Sequence, residues 1–295
     1  MGMTVGETLK NAADQLSEKK ARTPLLDAEV LLCAVLKLDR LYLYIQRNRQ
    51  LTEKEEEDFK SMLTKRLEGM PVQYILGHQE FMGLDFYVEE GVLIPRPDTE
   101  ILVETVLGWV KEKGLSKADV PPWTIVDLGT GSGAITVSLA KYIPNSALYS
   151  VDISQRALAI GEKNAVHNGV AGQIRFLEGD LFQPLEEKGL EGKIDILVSN
   201  PPYIPRRDIE GLQVEVAGYE PVLALDGGED GLDFYRRIIA EGLRFLRQGG
   251  FMALEVGHDQ AETVMSLMKE RGSYGHIQKH KDLAGIERVV TAENV

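Results

Sequence analysis

The sequence predicts an α/β fold in which a doubly wound, mostly parallel sheet follows a small helical domain. Two observations lead to this prediction. From residue 123 onward, short apolar runs alternate with amphipathic segments, as in sheets that are covered by helices on both faces. The first 77 residues carry only helix-type patterns. A chain of 295 residues is long enough to form both domains.

Composition restricts the class of protein. The chain has 33 basic and 46 acidic side chains and a net charge of −13, which argues against stable binding to nucleic acid phosphates. Cys33 is the single cysteine, so neither a disulfide framework nor a thiolate metal site is expected, and we predict no metal. The N-terminus lacks the pattern of a signal peptide, and no apolar run reaches membrane-spanning length. We expect a cytoplasmic protein that does not bind membranes.

Capping signals mark the helices of residues 1–77, the candidate substrate-recognition domain. Thr4 with Glu7, and Thr52 with Glu55, have the spacing of a capping box, in which a threonine and a glutamate satisfy backbone N–H groups at a helix start. Apolar residues follow each box along one helix face. The pattern predicts a small helical bundle.

Residues 78–97 have the texture of a linker. Short extended pieces surround "EEG", which is a predicted turn. Pro95 and Pro97 end the extended stretch, and Asp98 or Thr99 is expected to cap the next helix.

Residues 98–295 are predicted to form the sheet domain, which opens with the helix "TEILVETVLGWVKEKG". The predicted strands are "WTIVDLG", "ALYSVDIS", "IRFLEGD", "IDILVSN", "FMALEVG", "HIQKHKD" and "IERVVTAE". The helices between them include "GAITVSLAKYIP", "QRALAIGEKNAVHNG", "LDFYRRIIAEGLRFLRQGG" and "DQAETVMSLMKERG". The short link between the last two strands indicates that they pair antiparallel.

The turn after the first of these strands, "VDLGTGSGA", is a candidate binding site. Gly129, Gly131 and Gly133 allow a tight turn to pass close to a ligand at a helix N-terminus. Their spacing also fits the dinucleotide pattern, so the turn alone leaves a nicotinamide cofactor open. Asp127 favours a ligand with a cationic amino acid group over a pyrophosphate, which a carboxylate would repel.

The ends of the next two strands carry further candidate residues. Asp152 can accept two hydrogen bonds from a ribose diol. The alternative is that Asp152 caps the following helix, a position for which Ser154 competes. Asp180, Leu181 and Phe182 are expected to frame the edge and face of an adenine.

The stretch "NPPY" ends the strand that should lie beside the glycine-rich turn, where doubly wound sheets bind their ligands. Pro201 and Pro202 make the backbone rigid and remove two N–H donors. The side-chain carbonyl of Asn200 and the backbone carbonyl of Pro201 then match the two N–H donors of a planar amino or amide group. Tyr203 can stack on that group.

These two turns together resemble those of S-adenosylmethionine-dependent amino- and amide-methyltransferases, which have a seven-stranded, Rossmann-like class I fold. With "LIPRPDTE", the helical N-terminal domain and "LALDGGEDGLDFYRRII", nearly the whole chain resembles the release factor glutamine methyltransferase family. The resemblance implies transfer of a methyl group from S-adenosyl-L-methionine to N5 of the glutamine in the Gly-Gly-Gln loop of peptide-chain release factors. The product cofactor would be S-adenosyl-L-homocysteine.

The resemblance also implies roles for individual residues. The cofactor would be bound by Gly129, Thr130, Gly131, Ser132, Gly133, Asp152, Asp180, Leu181 and Asn200. The glutamine would be bound by Asn200, Pro201, Pro202 and Tyr203, among which Asn200, Pro201 and Tyr203 are the candidate catalytic residues. In such enzymes an aromatic residue often follows the acidic residue of the third strand, whereas Leu181 intervenes here before Phe182.

Other functions use parts of the same pattern. An adenine-N6 DNA methyltransferase would present an exocyclic amino group to the same two acceptors, although the chain lacks a sizeable basic recognition domain. Modification of a ribosomal protein or RNA base is possible on the same chemistry. A nicotinamide-dependent oxidoreductase shares the glycine spacing but gives no reason for "NPPY". A cofactor-sensing binding module would not need intact Asn200 and Tyr203.

Overall fold

The computed structural model describes residues 2–113 and 121–295. Two compact units are present. One comprises the chain up to His78 together with Gln213–Tyr219, and the other comprises Gln79–Leu212 and Glu220–Val295. The predicted end of the helix "TEILVETVLGWVKEKG" at Gly114 lies outside the described residues. Over the described ranges, no helix is both long enough and apolar enough to cross a membrane.

Helices and strands follow the chain in this order. The helices are α1 (Val5–Glu18), α2 (Pro24–Leu36), α3 (Arg40–Ile45), α4 (Glu53–Leu67), α5 (Val72–Leu76), α6 (Glu100–Glu112), α7 (Ala134–Tyr142), α8 (Gln155–His167), α9 (Gln183–Glu186), α10 (Val214–Ala217), α11 (Asp233–Phe245) and α12 (Ala261–Arg271). The strands are β1 (His78–Phe81), β2 (Leu84–Tyr87), β3 (Trp123–Leu128), β4 (Ser146–Asp152), β5 (Ile174–Glu178), β6 (Ile194–Ser199), β7 (Leu246–Glu255), β8 (Tyr274–Lys281) and β9 (Glu287–Asn294).

The smaller unit is a helical bundle whose helix starts follow the predicted capping signals. Thr4 and Glu7 form a capping box at α1, and Thr52 and Glu55 form another at α4, so both predicted boxes are confirmed. The shared core consists of apolar side chains from the first four helices, among them Val5, Leu16, Leu31, Leu32, Leu43 and Phe59. Burial of these side chains is what holds such short helices together.

A buried arginine ties a distant segment of the chain to this bundle. Arg66 on α4 donates from Nε to Asp27 Oδ2 on α2 at 2.8 Å. Its other end pairs with Glu215 on α10. Because Arg66 is buried and its charge is matched by both partners, the segment around α10 packs as part of the helical unit.

The larger unit is built on a mixed sheet with strand order β5-β4-β3-β6-β7-β9-β8. Strands β3 to β7 run parallel, and β9 pairs antiparallel with both β7 and β8. The predicted seven-stranded, doubly wound fold is confirmed. The order reverses between β3 and β6, as the sequence predicted, so the loops after these two strands leave the same edge of the sheet.

Two local predictions are wrong. Strand β7 begins at Leu246, inside a stretch predicted as helix, because Leu246 is buried and Arg247 pairs with Asp195 on β6 at 2.5 Å. Neither Asp98 nor Thr99 caps α6 with its side chain.

Candidate functional site

The glycine-rich turn between β3 and α7 is fastened to the end of β4. The backbone N–H groups of Gly129 and Thr130 both donate to Val151 O, at 2.8 and 3.1 Å. Gly133 N donates to Thr130 O at 2.8 Å, which closes the turn just before α7 begins. Parallel pairing of β3 with β4 therefore fixes where the turn lies.

Asp127 lies beneath this turn rather than on a cavity wall. Its Oδ2 accepts hydrogen bonds from the hydroxyl groups of Thr130, at 3.0 Å, and Thr136, at 2.5 Å. Its Oδ1 is buried with no hydrogen-bond partner among the described residues. Burial raises the pKa of Asp127 to about 6, against the effect of both hydroxyl groups. Asp127 thus orders the turn and leaves one buried acceptor free.

Asp152 at the end of β4 also holds the turn. Its Oδ2 accepts from Gly131 N and its Oδ1 from Ser154 N, both at 2.9 Å. Ser154, not Asp152, caps α8, because its side chain accepts from Ala157 N. Burial raises the pKa of Asp152, and the backbone N–H groups oppose that rise. Each carboxylate oxygen keeps a lone pair for a ligand hydroxyl.

The residues after β5 separate into two environments. Asp180 and Leu181 line the cavity, and Asp180 Oδ2 accepts from Arg237 Nη2 at 2.6 Å. Leu181 has a φ of +49°, which is uncommon for a residue other than glycine. Phe182 is 1% exposed and stacks on Phe245 at 4.9 Å, so the expectation that it frames an adenine is wrong.

One cavity runs along the carboxyl ends of β3, β4, β5 and β6. Of the predicted site residues, it is lined by Gly129, Thr130, Gly131, Ser132, Asp152, Asp180, Leu181, Asn200 and Pro202. Gly133, Pro201 and Tyr203 do not line it. The glycine-rich turn and the start of "NPPY" therefore share one cavity, as their strand positions require.

Gly131 and Gly133 serve this turn in different ways. Both have positive φ, +54° and +80°. A Cβ on Gly131 would meet no atom within 4 Å, so its backbone faces open space. A Cβ on Gly133 would lie 3.0 Å from Gly161 Cα, because α7 and α8 approach closely there. Gly131 is needed for access, and Gly133 for packing.

Asn200 is held by a residue that sequence reasoning had assigned to a helix start. Asn200 Nδ2 donates to Thr99 Oγ1 at 3.3 Å, and both residues line the cavity. Thr99 does not cap α6 with its side chain, and its backbone is already helical there, with φ −69° and ψ −18°. The motif "LIPRPDTE", which contains Thr99, marks this region in the sequence. The motif alone does not indicate that Thr99 contacts a residue 101 positions further along the chain.

Sequence reasoning also missed an ion pair at the cavity. Arg96, which lines the cavity, donates from Nη2 to both carboxylate oxygens of Glu220, at 2.7 and 2.6 Å. Glu220 is buried, and the next residue, Pro221, lines the cavity together with Leu223. The pair therefore holds this segment in place as part of the cavity wall.

Tyr203 is partly buried and does not line the cavity. Its backbone carbonyl accepts from Gln260 Nε2 at 2.9 Å, and its ring packs against the core on the β6–β7 side of the sheet. Burial raises the pKa of Tyr203 to about 12, so the phenol stays neutral at ordinary pH. The stacking role assigned to Tyr203 stays a prediction.

Comparison with known proteins gives matches along the whole chain. Residues 7–77 match the PrmC N-terminal domain, and residues 115–215 match the methyltransferase small domain. The release factor glutamine methyltransferase of Moorella thermoacetica is 43% identical over 290 residues, 98% of each chain. That of Clostridium acetobutylicum is 40% identical over 290 residues, again 98% of each chain.

A solved structure supports the fold. A Thermus thermophilus 16S rRNA N2 methyltransferase, determined in complex with AdoMet and guanosine, superposes with a TM-score of 0.51 and 21% identity. The match covers 74% of this chain and 50% of that one.

An added methyl group should destabilise the protein to different extents at Gly131 and Gly133. Gly131→Ala should lower the free energy of unfolding by about 1–2 kcal/mol, the cost of left-handed backbone in a non-glycine residue. Gly133→Ala should cost about 2–5 kcal/mol, because overpacking against Gly161 adds to the same backbone strain. Urea denaturation of both variants measures the difference. Equal losses would show that Gly133 is not a packing position.

Proposed function

The chain belongs to the release factor glutamine methyltransferase family, and on that premise we propose that it methylates N5 of the glutamine in the Gly-Gly-Gln loop of peptide-chain release factors. S-adenosyl-L-methionine is the proposed methyl donor, and S-adenosyl-L-homocysteine the product. The observation that carries the proposal is that Asn200 lines the same cavity as the glycine-rich turn. One cavity can then hold a methyl donor beside a planar amide.

The residues present fit S-adenosyl-L-methionine. This molecule, when bound, supplies a methyl group on a positively charged sulfur. The open space beside Gly131 admits a ligand close to the backbone, and Asp152 offers acceptors for a ribose diol. Among the described residues nothing donates a hydrogen bond to Asp127 Oδ1, and this carboxylate under the turn favours a cationic group nearby. Asp180 and Leu181 are proposed to contact the adenine, and Asp180 would share its charge with Arg237.

The chemical task for the chain is to make an amide nitrogen reactive. That nitrogen is a poor nucleophile because its lone pair is delocalised into the carbonyl. We propose that Asn200 Oδ1 and Pro201 O accept the two N–H bonds of the glutamine amide, which fixes the nitrogen in position and favours positive charge on it. The nitrogen gains a methyl group and loses one proton, which passes to water. Pro202 would keep this arrangement rigid, and Tyr203 would stack on the amide.

Adenine-N6 DNA methylation is not favoured. The relatives that match 98% of this chain are named for release factor glutamine, and the net charge is −13. Cytoplasmic location and the absence of stable nucleic acid binding stay predictions from the sequence.

Transfer of labelled methyl from S-adenosyl-L-methionine tests the proposed function. The acceptors are a purified release factor, its Gln→Glu variant at the Gly-Gly-Gln loop, and duplex DNA. We expect label on the unmodified factor alone, because only that acceptor offers the glutamine amide. Label on DNA with none on either protein would contradict the proposal while keeping the chemistry of "NPPY".

Asn200→Ala separates catalysis from cofactor binding. Removing the Asn200 carbonyl should lower kcat by about 100-fold, the usual effect of losing one group that stabilises transition-state charge. The Kd for S-adenosyl-L-methionine should change much less. Steady-state kinetics and calorimetry measure the two quantities, and Asn11→Ala, on the exposed surface of α1, is the matched control. Equal losses in kcat and affinity would contradict a role of Asn200 in orienting the acceptor.

The helical unit is the proposed recognition domain for the release factor. Its helix α3 exposes Leu41 and Ile45, which are 68% and 66% accessible. Apolar side chains that remain exposed on a protein surface are common at protein–protein contacts. This unit would then contribute affinity for the whole factor without taking part in the chemistry.

Replacing this apolar surface tests the recognition role. Leu41→Ser with Ile45→Ser should raise KM for the intact release factor by about tenfold and leave kcat unchanged, because only binding contacts are lost. Val166→Ser on α8, which is 69% accessible, is the control. An unchanged KM, with the control also unchanged, would contradict recognition through α3.

A further inference from the structure

A buried glutamate lies directly behind Asn200. Glu255 ends β7, which pairs in parallel with β6, and the register sets Leu254 against Ser199. Glu255 is therefore level with Asn200, one residue past the paired positions. Its side chain is 2% exposed, and Oε2 has no hydrogen-bond partner among the residues that the structure describes. No step of the proposed reaction uses this carboxylate.

The groups around Glu255 come from the segment before α6, the loop after β6 and strand β9. Asn200 and Thr99 both interact with its carboxylate and lower its pKa, but burial outweighs them and raises the pKa of Glu255 to about 7. Arg288 on β9 lowers that pKa and Asp98 raises it. The Arg288 guanidinium also forms ion pairs with Asp98, at 2.7 Å, and with Asp282, at 2.9 Å.

Two tyrosines complete the surroundings of this carboxylate. Tyr203 lies close enough for the charge of Glu255 to raise the pKa of its phenol. Tyr235 on α11 donates its hydroxyl to the backbone carbonyl of Glu255 at 2.8 Å, not to the carboxylate. Neither phenol therefore takes over the free acceptor of Glu255.

The orientation of Asn200 needs a group that distinguishes its two ends. A side-chain amide carries an acceptor on one side and two donors on the other. Thr99 has one hydroxyl proton, and when it donates that proton to Glu255, Thr99 Oγ1 can only accept from the NH₂ group of Asn200. An ionised carboxylate only accepts, so it draws the NH₂ group of Asn200 inward. Asn200 Oδ1 is then left facing the cavity.

We propose that Glu255 is the positioning residue that orients the amide of Asn200 and so selects a planar N–H donor group as the methyl acceptor. The inference rests on the proposed function, because that function requires an acceptor oxygen at Asn200. With the amide reversed, two NH₂ groups would face each other across the cavity. A methyl acceptor without a hydrogen-bond donor, such as a carbonyl oxygen, would gain nothing from the orientation that Glu255 imposes.

The protonation state of Glu255 gives the proposal a pH dependence. Below its raised pKa, Glu255 is neutral and carries an O–H donor, which can bond to Asn200 Oδ1 and reverse the amide. Activity should therefore fall as the pH drops through about 7. Stability should follow the opposite sign, because a raised carboxyl pKa stabilises the fold at low pH and that contribution is lost as the pH rises through the folded-state value.

Glu255→Gln tests the positioning role without removing volume. We expect kcat for release factor methylation to fall about tenfold at pH 8, because a hydrogen bond to a charged acceptor is lost. The Kd for S-adenosyl-L-methionine should stay within about threefold of wild type. The decrease of activity at low pH should disappear, because the group that titrates is no longer present. The melting temperature at pH 8 should not fall, because a buried charge is removed. Glu104→Gln, on the exposed surface of α6, is the control.

A reciprocal exchange gives a readout that a structural role would not move. Asn200→Asp alone places two carboxylates together and should be nearly inactive. When Glu255→Gln is added, the amide introduced at position 255 can donate to one oxygen of the carboxylate at position 200, and the other oxygen is again free to face the cavity. The double variant should recover at least tenfold in kcat over Asn200→Asp alone.

The outcomes separate this inference from the proposed function. Wild-type transfer to the release factor, with an unaltered Glu255→Gln pH profile or no recovery in the double variant, overturns the positioning role alone. Absence of wild-type transfer overturns both.

Discussion

The parallel pairing of β3 with β6 is the constraint on which the site depends. Its register sets Leu128 beside Ser199, and the Ser199 hydroxyl donates to Leu128 O at 2.6 Å, so the two strands end level. The next residues are Gly129 on one strand and Asn200 on the other. A shift of one residue would turn the side chains of β6 to the opposite face of the sheet. The cavity exists because two loops, distant in sequence, begin at the same height.

Buried carboxylates organise this edge of the sheet. Asp127 holds the hydroxyl groups of the turn, Asp152 holds its backbone N–H groups, and Glu255 lies behind Asn200. Burial raises the pKa of all three. Asp152 lines the cavity and the other two acids lie outside its lining, and together they favour a positively charged ligand and the positive charge that develops on a methylated nitrogen. The cost is a fold that loses stability as these groups ionise with rising pH.

Local patterns were enough to predict the sheet, the glycine-rich turn and the capping boxes, because each depends on residues a few positions apart. They were not enough for contacts across the fold. Thr99 has the chemistry of a helix cap, yet its hydroxyl is used by Asn200. Phe182 is an aromatic residue close to the acidic end of β5, where an adenine contact is expected, yet it stacks on Phe245 in the core. Glu255 reads in sequence as the end of an apolar strand, and only the pairing of β7 with β6 brings it behind Asn200.

A crystal structure with S-adenosyl-L-homocysteine and a peptide containing Gly-Gly-Gln would show whether donor and acceptor share this cavity. We expect the nucleoside against the glycine-rich turn and Asp152, with the glutamine NH₂ within hydrogen-bond distance of Asn200 Oδ1 and Pro201 O. A glutamine side chain bound away from Asn200, or a nucleoside outside this cavity, would contradict this expectation.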